Sequence, residues 1–82
     1  MNKLTLTVKF NDNKVDDEAV GTELLNTVNT AYEEPVFFNG DTTVWEVLVP
    51  FAYTQKKLTE LRDKLRAMID TGVIADAGYT FS

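Results

Sequence analysis

The chain has 82 residues, 44% hydrophobic and 26% charged, the balance of one folded globular domain and not of a disordered segment. With no cysteine and no histidine it lacks disulfides, thiolate zinc ligands, the commonest general base and both usual nucleophile pairs. Thirteen acids against eight bases give a net charge of −5, and the excess is local, since Lys14 is the one base between Asp12 and Glu46.

The N-terminal stretch MNKLTLTVKF alternates polar and apolar residues, strictly so from Leu4 to Phe10. Leu4, Leu6, Val8 and Phe10 share one side, and Lys3, Thr5, Thr7 and Lys9 share the other, which predicts a strand. The alternation also argues against a signal peptide, and no run is long enough to span a bilayer, so the expected location is the cytoplasm. Asn11, Asp12 and Asn13 break the strand as a loop.

Asp16, Asp17 and Glu18 place negative charge where a helix N-terminus favours it. Val20, Leu24, Val28 and Tyr32 follow at a four-residue spacing, one apolar helical stripe. Gly21 and the Thr and Asn content weaken this helix, and Glu33-Glu34-Pro35 is expected to end it.

The stretch VFFNGDTTVWEVLVPF predicts a hairpin, with Asn39-Gly40 as its two-residue turn. Phe38 then pairs with Asp41, Phe37 with Thr42 and Val36 with Thr43. Val36 and Phe38 join Trp45, Val47, Val49 and Phe51 on one face, and Phe37 joins Val44, Glu46 and Leu48 on the other. A one-residue change in the turn's register is expected to exchange Phe37 for Phe38.

Thr54 is the expected N-cap of a second helix, with Leu58, Leu61, Leu65, Met68 and Ile69 as its stripe and Glu60–Lys64 as an i,i+4 pair. Gly72 suits the left-handed position that ends it. Residues 73–82 alternate again, with Ala75, Ala77, Tyr79 and Phe81 on one side and Gly78 as an interruption.

The order strand, helix, strand, strand, helix, strand predicts an α+β fold of the ferredoxin-like split βαββαβ kind. Both helices cover one face of a four-stranded antiparallel sheet, and the other face is open. The core is expected from the two stripes and the strand faces holding Leu4, Val36, Trp45 and Tyr79. On the open face, Phe37, Val44, Leu48 and Ile74 would form an apolar patch beside Thr5, Thr7 and Glu46, and such patches commonly mark contacts.

The residues offer little chemistry. The four glycines are scattered, so no phosphate-cradling loop is expected. The oxygen-rich run from Asn11 to Glu18 lacks EF-hand spacing and reads as a polar loop feeding an acid-capped helix. The adjacent pairs Asp16/Asp17 and Glu33/Glu34 read as capping or solvation, so no catalytic residue, metal or cofactor is expected. Acyl-phosphate hydrolases and thiol metal carriers of this topology need a first-loop arginine or a C-x-x-C, and neither is present. The strand with Val44, Glu46 and Leu48 lacks the basic and aromatic pattern of an RNA-recognition sheet. An acidic chain without a basic stripe suits neither direct nucleic-acid binding nor an anionic membrane.

The remaining expectation is a non-catalytic protein-binding protein. Asp16, Asp17, Glu18, Glu23, Glu33, Glu34, Asp41 and Glu46 would dock on the basic groove of a nucleic-acid-handling protein, imitating the charge spacing of a nucleic acid. By size and charge the chain is comparable to phage or mobile-element inhibitors of host defence. The alternative is a homodimeric regulatory or small-molecule-sensing module that associates through the open sheet face.

Overall fold

The computed structural model describes residues 2–11, 17–28, 30–49 and 54–82. The elements are β1 (Asn2–Phe10), α1 (Asp17–Thr27), β2 (Phe37–Asn39), β3 (Thr42–Val49), α2 (Thr54–Asp70) and β4 (Ile74–Phe81). The strands form one sheet in the order β2-β3-β1-β4, every neighbouring pair antiparallel. This is the ferredoxin-like βαββαβ arrangement. Asp16, the loop residues Asp12 and Asn13, Phe51, and the side chains of Asp17 and Thr54 lie outside the described residues.

The alternating pattern of β1 does what its spacing demands. Leu4, Leu6, Val8 and Phe10 are buried beneath the helices with Trp45, Val47 and Val49 of β3. Val20, Leu24, Leu25 and Val28 come down from the α1 side, and Leu61, Leu65 and Met68 from α2. Helix α2 ends as its glycine predicts. Gly72 has φ of 79°, its N–H donates to Ile69 O at 3.1 Å, and Val73 N–H donates to Met68 O at 2.9 Å. These two bonds satisfy carbonyls that a helix end otherwise leaves open. Glu60 pairs with Lys57 at 3.4 Å, not with Lys64, which reaches across to Glu23 of α1.

Gly21 has a role that helix propensity conceals. A Cβ there would lie 2.7 Å from Cζ2 of Trp45 and 3.0 Å from Cε1 of Tyr32. The glycine lets α1 settle directly on the fully buried indole.

Four further expectations need correction. Helix α1 ends at Thr27, before Tyr32 and well before Pro35. Its last turn contains Asn26 and Thr27, weak helix formers, and Thr27 Oγ1 donates to Glu23 O at 3.0 Å. Val28 and Thr30 N–H both donate to Leu25 O, which closes the helix. Tyr32 nevertheless packs against the core from the segment that follows.

The hairpin turns one residue later than expected. Asn39 pairs with Thr42, Phe38 with Thr43 and Phe37 with Val44, so Gly40 and Asp41 are the central residues, with Gly40 at φ of 63°. The faces are not exchanged. Sliding a two-residue turn by one position moves both strands together, so partners change by two and side-chain parity survives. Only a change in loop length would swap Phe37 and Phe38.

Val36 and Phe38 do not join the core. Phe38, opposite the buried Thr43, lies on the helix side of the sheet but is 70% exposed, and Val36, just before β2, is 57% exposed with its N–H donated to Val44 O at 2.9 Å. The helices stand over the other three strands, and β2 lies at the sheet edge beyond them.

Ile74 is not on the open face. It is 1% exposed, in the core. The β1–β4 register shifts between Lys9 and Phe10, so that Lys9 faces Asp76 but Phe10 faces Ile74. This bulge inserts Ala75 as an extra residue, which turns Ile74 inward and leaves Ala75 exposed.

Two stability measurements test these placements. Gly21→Ala gains about 1 kcal/mol of helix propensity, but overpacking against the indole should cost about 1–3 kcal/mol, for a net loss by urea unfolding. Ile74→Ala should cost about 2–5 kcal/mol as a core truncation, against about 0.5 or less for an exposed position.

Candidate protein-binding surface

The open face is more polar than its β3 row suggests. Thr7 stands between Val44 and Gly78, Thr5 between Glu46 and Thr80, and Lys9 between Thr42 and Asp76. Above them lies a shallow hollow of about 630 Å³ lined by Thr5, Thr7, Lys9, Thr42, Asp76 and Gly78 among others. Leu48, 57% exposed, sits beside Lys3. It is four residues along the strand from Val44, about 13 Å at the usual rise. Glu46 lies between them and reaches Lys3 Nζ at 3.8 Å. With Ile74 in the core, the apolar part of this face reduces to the adjacent pair Phe37 and Val44, with Leu48 apart from them.

Exposed apolar groups gather instead around the edge strand. Val36, Phe37 and Phe38 are each more than half exposed; Val36 immediately precedes β2, and the two rings project from its opposite faces. Two consecutive phenylalanines in a strand must face opposite ways, so a single core could never have buried both. The sequence signal for this surface was therefore FF at the sheet edge, and the expected topology already places that strand at the edge.

The acids do not form one surface. Glu46 is on the open face, paired with Lys3. Glu23 belongs to the helix layer, where it pairs with Lys64 across the two helices. Glu18 is exposed in the first turn of α1. Glu33 and Glu34 are exposed in the segment leading into β2, and Asp41 is half-buried in the turn that follows it. The Asp41 carbonyl accepts Phe10 N–H at 2.7 Å, which ties the turn to the end of β1. Glu33, Glu34 and Asp41 thus flank the apolar residues 36–38 at either end, and no Lys or Arg occurs between Lys14 and Lys56. Among the described residues, no three acids stand together as a group able to hold a metal ion. No helix there is long and apolar enough to cross a membrane.

Comparison of the chain with protein-family models, curated proteins and solved structures finds no match.

If residues 36–38 form a free surface, their side chains contribute little to folding. Phe37→Ser and Phe38→Ser should each change the urea-unfolding free energy by less than about 1 kcal/mol, where a core phenylalanine would cost about 3–5. A core-sized loss at either position would show that the ring is packed in the folded protein.

Proposed function

We propose that this protein is a non-catalytic protein-binding protein of the inhibitor type, which docks on the basic surface of a nucleic-acid-handling protein. The observation that carries this reading is the exposed apolar edge Val36, Phe37 and Phe38 with Glu33, Glu34 and Asp41 around it. An apolar centre with a charged rim is the usual anatomy of a protein contact, and aromatic groups at its middle carry most of the energy. The carboxylates steer a basic partner and select against acidic ones. Size and acidity are those of small inhibitors made by phages and mobile elements, an analogy and not a match of motif. Compared with an acidic surface spread along the whole first half, the proposed contact is narrower, because Glu23 and Glu46 are engaged with lysines on opposite layers.

A homodimer joined through the open face has less support. The centre of that face is threonine and charge, and its apolar groups are separated.

Two measurements test the reading. Light scattering should give the monomer mass at both low and high salt; a salt-resistant dimer would overturn the proposal in favour of self-association. Affinity capture should then compare wild-type bait with Phe38→Asp and with Glu33→Gln/Glu34→Gln. Nucleic-acid-binding proteins should be retained by the wild type, lost with Phe38→Asp and weakened with the neutralised pair. Identical recovery on all three baits would reject this surface.

A further inference from the structure

We propose that the outer edge of β2 receives an extended segment of the partner as a fifth strand, and that this segment carries basic residues on either side of a β-branched or apolar centre. The inference rests on the protein-binding reading above and deepens it by naming the mode of contact and the chemistry of the partner.

The backbone supplies the first argument. Asn39 and Thr42 flank the two-residue turn and form a hydrogen-bonded pair, so the next pair, Phe38 and Thr43, is of the non-hydrogen-bonded kind. The N–H and C=O of Phe38 therefore point away from β3, out of the sheet. An incoming strand finds there a donor and an acceptor, with Phe37 on one face and Phe38 on the other to pack against its alternate side chains.

The opposite edge of the sheet shows what a closed edge looks like in this molecule. Strand β4 is bulged at Ala75, and Ala77 N–H donates to Asp76 Oδ1 at 2.9 Å. A bulge and an edge carboxylate are both devices that discourage strand addition. Strand β2 carries no carboxylate; it is short, Phe37 and Phe38 are apolar, and Val36 N–H turns inward to Val44 O at 2.9 Å beside the Phe37–Val44 pair, so that Phe38 is the residue whose backbone is offered outward.

Charge decides the occupant. A second copy could add to this edge only antiparallel about Phe38, the residue whose backbone faces out. That register brings Glu33 and Glu34 of each copy beside the other copy's Asp41, like charges at both ends of the contact. A segment with Lys or Arg at its ends instead meets Glu33 and Glu34 at one end and Asp41 at the other. The fit is therefore to a basic strand of another protein and not to this chain itself.

The test uses the full chain, isotope-labelled for NMR, with two blocked synthetic peptides as probes: Lys-Arg-Val-Thr-Val-Arg-Lys and its counterpart with Glu at the four charged positions. At about 1 mM peptide and low salt, the basic peptide should shift the amides of residues 36–40 and slow hydrogen exchange at Phe38 N–H by about tenfold. The acidic peptide should do neither. Phe38→Pro removes the outward N–H at a position where an edge strand tolerates proline, and it should abolish the effect; Phe38→Ala keeps the N–H and should only weaken it. If Phe38→Pro does not fold, the exchange rate in the wild type decides alone. Shifts confined to α2 or β4, equal binding of both peptides, or an unprotected Phe38 N–H would overturn strand addition. Should that happen while cellular capture still depends on Phe38 and on Glu33/Glu34, the protein-binding reading stands and only the mode of contact falls. Loss of both removes both.

Discussion

Everything in the helix layer depends on how closely α1 approaches Trp45. The indole is fully buried on β3, and the helix can lie on it only because residue 21 has no side chain. Tyr32 closes over the same spot from the segment after the helix. Burying an indole removes about 150–250 Å² from water, worth about 4–6 kcal/mol. Against this stands Trp45 Nε1, which is buried with no hydrogen-bond partner among the described residues, a loss of about 1–3 kcal/mol. The apolar term wins, and the geometry it enforces sets where α1 can stand. A helix seated over Trp45 and ending at Thr27 leaves the neighbouring edge strand uncovered.

The two edges of the sheet consequently have different characters. At β4 the chain spends a residue on a bulge, turns Ile74 into the core and leaves Asp76 to occupy a backbone donor. At β2 there are three residues, no covering helix among the described residues, and aromatic rings on both faces. An edge of this second kind is a hazard unless it is kept short, charged or occupied. Here it is short, and charge stands beside it.

Strand and helix order, the faces of β1 and β3, the stripe of α2 and its glycine stop were legible in the sequence, because each rests on a local period or a single backbone preference. What was not legible depended on the third dimension. The burial of Ile74 follows from a bulge, and alternation alone contains no signal for an inserted residue. Gly21 read as a weakness, since its necessity arises from Trp45, a residue far along the chain. The turn slid by one position because Asn39-Gly40 and Gly40-Asp41 are both good turn pairs, and pairing with β1, including the bond from Phe10 to Asp41, favours the second. The acids formed a run in sequence, yet folding sent Glu23 and Glu46 to opposite layers.

Strand β1 occupies an inner position in the sheet, hydrogen-bonded to β3 on one side and β4 on the other, with Leu4 facing both Val47 and Phe81. During synthesis it is the first of the strands to leave the ribosome, and its second neighbour is the last. The apolar stretch LTLTV must therefore wait, with one edge unpaired, until residues 74–81 have emerged. Such long-range closure is slow and leaves a partly made sheet open to association. The interval before β4 arrives is therefore when the sheet is most open to such association, whatever the stability of the finished fold.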